Sequence, residues 1–272
     1  MPKSQKAFPA VPYLRKEGLA FLRSMVRYNN QDPVVAREWF QSNKSTYEAE
    51  LKEPMLAIIR RVTDAMTDFA PDHVRPAEKS FFRIYRDTRF SNDKRPYKDH
   101  IAAWWSHTAL EKTSGAGFYF HIAPKEVTIA AGAYMPEKEQ LAAIRHWLVD
   151  NHESFRALLT KPALRKAFRE FEANALTRPP KGFPAEDPAH PGQPHPALDL
   201  VRCRQWGIAA TLPVEAALDP KFADALIRHF KLAAPIVAAL NTPIAASLEE
   251  PAKPRQSSIF TLPGTPKVAK TR

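Results

Sequence analysis

Only eight glycines and one cysteine occur in 272 residues. The lone thiol, Cys203, rules out a disulfide within the chain and any zinc site built on cysteine pairs. Neither G-x-G-x-x-G after a strand nor G-x-x-x-x-G-K-[ST] occurs, so the usual glycine-built phosphate loops are absent. Ser114-Gly115-Ala116-Gly117 reads as a turn ahead of a strand. There is no G-x-S-x-G elbow, and none of the nine histidines forms H-E-x-x-H. No apolar run reaches about 18 residues, so no segment is expected to span a membrane. The opening MPKSQKAFPAVPYLRKEG lacks the apolar core of a secretory signal. A cytoplasmic protein is the resulting expectation. Acidic residues are also in short supply: 29 against 40 Lys and Arg, a net charge of +11. Such a field attracts polyanions, phosphorylated ligands or acidic surfaces.

What is present has a clear order. From Tyr13 to Phe69 the apolar spacing is helical, with Asp32-Pro33 as a cap and first helical residue and Met55, Ile58, Ile59, Val62 and Met66 as a core stripe. Strand-like segments follow at 81–86, 101–105, 117–123 and 126–135, the last two joined by Pro124-Lys125 as a hairpin. Consecutive strands without intervening helices predict an antiparallel meander. Helices are predicted from Pro136, over about Pro162–Phe171 with Phe171 inward, and from Asp219-Pro220, with Pro235 ending or kinking the last. A further strand is read at 206–212, and the seven prolines of 177–197 exclude a regular element there. The fold class is therefore α+β: an N-terminal helical block, a central mainly antiparallel sheet and C-terminal helices. Residues 13–250 form one domain, between a flexible 1–12 and a disordered basic tail at 251–272 that holds five basic residues and no acidic one.

The run FFRIYRDTRFSNDKRPYKDH (81–100) concentrates the charge: Arg83, Arg86, Arg89, Lys94, Arg95 and Lys98 against Asp87, Asp93 and Asp99. Two readings of it stand side by side. In one, the arginines pair with Asp87 and Asp93 and pin the segment to the loop that follows. In the other, the surplus cations capture phosphate or carboxylate, because arginine presents a planar fork that matches both. The ligand-binding candidates are then Arg83, Tyr85, Arg86, Arg89, Lys94, Tyr97 and Lys98, with Trp104 and Trp105 as further stacking surfaces. Asp87, His100 and His121 are the candidate proton carriers should the site be catalytic. The spacings of His100, His107 and His121 with Asp87, Asp93 and Asp99 match no known ligand pattern, so no metal site is assigned.

Several stretches carry a family resemblance. Asn29-Asn30, REWF (37–40), Lys44, Tyr47 and Pro54, then FRIYRDTRFSNDKRPYK (82–98), GFYFHIA, GAYMP and HPALDLVR (195–202) resemble, in order, domain of unknown function 2461, a family of bacterial conserved hypothetical proteins. The resemblance covers about residues 19–240. It implies one α+β domain and no particular activity. The spacer QDPVVA between Asn29-Asn30 and REWF is longer than is usual in the family, so the two asparagines are not carried over by it. Three function classes follow. The first is a protein that binds an anionic small molecule beside the run, with enzyme activity left open. The second is a nucleic-acid-binding protein using the run and the tail, and the third a structural or partner-binding protein without a ligand. Concave or flat placement of Arg83, Arg86, Arg89 and Lys98 separates the first from the second.

Overall fold

The computed structural model describes residues 11–110 and 115–249. The expectations for residues 1–10 and for the tail from 251 onward lie outside the described residues. Helices α1 (Lys16–Asn29) and α2 (Pro33–Ser42) open the chain. Asp32 caps α2, its Oδ1 accepting from the Val34 N–H at 2.7 Å, with Pro33 in the first helical position. Helix α3 (Lys44–Tyr47) passes through a π-helical stretch, Glu48–Lys52, into α4 (Glu53–Met66). Gly18 of α1 lies against the Glu50 carbonyl of that stretch, where any Cβ would collide. A short α5 (Ala77–Ser80) leads to the charged run.

The sheet is built from β1 (Ile101–Ser106), β2 (Ala116–Ile122) and β3 (Glu126–Ala133). After α6 (Lys138–Leu159) and α7 (Pro162–Ala167) come β4 (Glu170–Glu172), the small hairpin of β5 (Glu186–Asp187) and β6 (His190–Pro194), and α8 (Leu198–Val201). Strand β7 (Trp206–Pro213) and the long α9 (Phe222–Glu249) complete the fold. The order β1-β2-β3-β7-β4 is antiparallel throughout, so the chain is α+β with N-terminal helices, a central antiparallel sheet and a C-terminal helix.

Four details differ from the sequence reading. Residues 81–86 make only isolated bridges, Phe81 to Ala103 and Tyr85 to Tyr97, instead of a strand. Arg86 N–H donates to the Pro96 carbonyl, but Pro96 has no N–H to return, and the ladder stops. The helix from Pro162 ends at Ala167, and Phe171 is 41% exposed on β4, because the β7 edge offers that segment a ladder. The proline-rich stretch forms the β5–β6 hairpin, an exposed pair in which prolines sit at ladder positions that need no N–H. Pro235 does not end α9: it lies on the solvent side, so the Lys231 carbonyl it leaves without a helical partner faces water.

Alternation along the strands divides their side chains between two faces. Trp105, Phe118, Phe120, Ile129 and Ile208 face the helices, where α9 crosses β2 and β3 with α4 and α6 beside it. Phe230 of α9 packs against Trp105 and Phe118, with ring centroids 5.6 and 5.2 Å apart. Helix α9 is long and apolar enough to cross a membrane by length and composition, although Arg228, His229 and Lys231 interrupt its apolar run. In this fold its Phe222, Leu226, Phe230, Val237 and Leu240 are core residues.

Candidate functional site

The opposite face of the sheet carries small residues at its centre. Register places Gly117 opposite Gly132, Gly132 opposite Gly207, and Ala130 opposite Ala209. With no bulky side chain on this floor, a cavity of about 550 Å³ opens above it, walled by Phe82, Trp104, Tyr119, His121 and Tyr134, with Glu172 of β4 on the far rim. At the rim Met135 is 71% exposed and holds a left-handed backbone, φ 47°, which is uncommon for a residue with a Cβ.

The charged run lies along the β1 edge of this face, the Phe82 N–H donating to the Ala102 carbonyl at 3.0 Å. Its ion pairs match the network reading. Asp93 accepts from Arg86 (2.5 Å) and from Arg95 (2.6 Å), and the two guanidinium groups hold its carboxyl well below the usual carboxylate range. Asp87 pairs with Arg89 at 2.7 Å in the exposed loop, which pulls its carboxyl down to about 2. Lys94 donates to the Thr88 carbonyl at 3.0 Å. The buried Asn29 clamps Tyr97 from α1: its Nδ2 donates to the Tyr97 carbonyl at 2.8 Å and its Oδ1 accepts from the Tyr97 N–H at 3.1 Å. Asn30 accepts from Arg95 at 2.9 Å. The pair thus anchors the run despite the longer spacer that follows it.

Not every cation ends in that network's outer loop. Arg86, Arg95 and Lys98 converge with Asp99 and His100 on a pocket of about 230 Å³. Arg83 and Arg89 are exposed and Lys94 is held along the loop, so none of the three lines this pocket. Tyr85 is 41% exposed, whereas Tyr97 is buried with its ring stacked on Phe40 at 4.4 Å. Trp105 is core, its Nε1 donating to Thr63 Oγ1 at 2.8 Å, while Trp104 walls the cavity with an Nε1–H that has no protein partner.

The basic pocket and the apolar cavity share a boundary. Lys98 Nζ lies 4.8 Å from the centre of the Phe82 ring, and Phe82 is itself a cavity wall. His100 of the pocket and His121 of the cavity approach to 4.8 Å between ring centres. Asp99 Oδ1 lies 2.6 Å from His100 Nδ1, which orients the ring toward His121. His121 Nδ1 lies 3.2 Å from the Tyr119 hydroxyl. Burial pushes the His121 imidazolium down to about 4, with His100 adding to the effect, and pushes the Tyr119 phenol up to about 12. Two of the three candidate proton carriers are therefore brought together, and Asp87 is not among them. His107 sits elsewhere, 5.5 Å from His73 across a separate cavity of about 310 Å³. Among the described residues no group of three or more His, Cys, Asp or Glu is placed to hold a metal ion.

Sequence reading missed the sheet-face cavity, and with it Tyr119, Tyr134, Gly132, Gly207 and Glu172. The signal was present as small residues at alternate positions of EVTIAAGA (Thr128, Ala130, Gly132) and WGIAAT (Gly207, Ala209, Thr211), once register aligns them. No curated protein and no solved structure matches the chain. The order of motifs, the α+β architecture and a sequence-profile match over residues 17–238 agree, and the chain belongs to the family described as Conserved hypothetical protein (DUF2461).

Proposed function

We propose that the protein binds a small phosphate- or carboxylate-bearing ligand in the cleft beside the 82–98 run. The observation that carries this reading is the convergence of Arg86, Arg95 and Lys98 on one concavity whose neighbouring carboxylates are Asp93 and Asp99, three cations against two anions. Arg86 and Arg95 are held in place by Asp93 and Asn30, so the guanidinium groups are positioned before a ligand arrives. Lys98 would add a compact charge at the boundary with the cavity. The test is calorimetric titration with inorganic phosphate, alongside mass spectrometry of small molecules that co-purify with the native chain. Lys98→Ala is expected to weaken phosphate binding by about tenfold or more, the scale of one charge-assisted hydrogen bond, with little change in melting temperature. Unchanged phosphate affinity in Lys98→Ala would refute this placement of the anion.

A second reading, binding of single-stranded nucleic acid, draws on Phe90, which is 95% exposed with the Arg89 guanidinium 5.7 Å from its ring centre. An exposed aromatic among cations suits base stacking. Fluorescence anisotropy with a labelled oligonucleotide checks it: binding that falls steeply with salt and is lost in Phe90→Ala favours this reading over the first.

A further inference from the structure

We infer that the sheet-face cavity is the second half of the same site, and that the ligand is an aromatic molecule carrying its phosphate or carboxylate at one end. The inference rests on the anion reading above. At about 550 Å³ the cavity falls within the range of small-molecule sites, whereas the 230 Å³ basic pocket has room for little beyond the anionic group itself. The cavity walls are rings: Phe82, Trp104, Tyr119, His121 and Tyr134. Its floor is flat because Gly132, Gly207 and Ala130 present no more than a methyl group. A flat floor between aromatic walls suits a planar ring system, which gains both buried area and ring contacts. Continuity with the anion pocket comes through the Lys98–Phe82 and His100–His121 contacts, each 4.8 Å. Charge sets the direction of entry. The cations stand at the β1 edge and Glu172 at the β4 edge, so an anion at the far end would meet a carboxylate.

Gly207 provides a clean way to test the cavity. A Cβ there meets Glu172 Cβ at 3.5 Å and Glu172 Oε2 at 3.7 Å, ordinary contact distances, so a side chain can grow into the cavity. Gly132 offers no such route, since its Cβ would strike the Trp206 carbonyl and its φ is 127°. The experiment titrates inorganic phosphate, 1-naphthyl phosphate and 1-naphthol into wild-type protein, Gly207→Leu, Ala130→Leu and Lys98→Ala, with thermal melts reporting folding. In the wild type, 1-naphthyl phosphate should bind roughly 10- to 100-fold more tightly than phosphate, the range expected when an aromatic body is buried. Gly207→Leu or Ala130→Leu should remove that advantage and leave phosphate affinity unchanged. An aryl ester that binds no more tightly than phosphate, or an advantage that survives in both cavity-filling variants, overturns the inference. A different failure marks the anion reading: 1-naphthol binding as tightly as 1-naphthyl phosphate, with Lys98→Ala weakening neither phosphate nor the ester.

Discussion

Asn29 is 1% exposed, yet both polar atoms of its amide are matched to the backbone of one residue, Tyr97. It acts as a strand would, supplying the hydrogen bonds that the run fails to find in the sheet. Asn29→Ala would leave the buried Tyr97 N–H and carbonyl unpaired, and each such group costs about 1–3 kcal/mol. The expected loss is therefore about 2–5 kcal/mol in urea denaturation. Asn30→Ala removes only a contact to the half-exposed Arg95 and should cost less than about 1 kcal/mol. Equal, small losses in the two variants would show that the amide clamp is dispensable. The same residue-scale logic explains why the arginines of the run divide. Arg86 and Arg95 share Asp93 and are fixed at the basic pocket, while Arg89 takes Asp87 out in the loop.

At the scale of elements, the β2–β3 hairpin makes the sharpest energetic statement. Phe120 and Ile129 are opposed across the hairpin and fully buried. Either one changed to Ala should cost about 2–5 kcal/mol, and because they touch across the ladder the double variant should lose less than the sum. Thr128 points to the other face and is half-buried, so Thr128→Ala should stay within about 1 kcal/mol. Denaturant midpoints separate the two faces, and a loss for Thr128→Ala matching that for Ile129→Ala would contradict the assigned register. These strands were legible in the sequence because large and small residues alternate with period two, a local signal. The run at 81–86 has the same alternation, Ile84 buried and Arg83 and Tyr85 exposed, but a strand also needs a partner that can donate, and Pro96 cannot. Phe171 misled for a related reason: helical spacing predicted it inward, while the free edge of β7 captured it into a ladder. The cavity was illegible because it is a property of register. Gly132 and Gly207 lie far apart in sequence and become one floor only when β3 and β7 align.

At the scale of the whole molecule, burial and charge together fix how the fold responds to acid. His73 is 5% exposed, and its Nε2–H donates to the Ala116 carbonyl at 3.2 Å. Burial pushes its imidazolium down to about 4, and His121 is pushed to about 4 in the same way. An unfolded histidine takes up its proton near pH 6.5, so between about 6.5 and 4 the unfolded chain binds protons that the folded one refuses. Stability from these groups is complete above about pH 6.5 and drains away as pH falls toward 4, with His73 alone worth on the order of 3 kcal/mol over that interval. The carboxylates act later. Asp87 and Asp93 are held below their unfolded values by Arg89, and by Arg95 and Arg86, so what they contribute is present above about pH 4 and is lost only as pH falls further, toward 2. Acid should therefore weaken the protein in two successive steps, histidine first. His73→Gln keeps an N–H donor for Ala116 without a titrating ring, and it should shrink the first step to the share that His121 contributes. Urea midpoints at pH 7.5, 5.5 and 4.5 decide the matter. A wild-type decline across that range that His73→Gln reproduces in full would mean that the buried imidazole does not carry it.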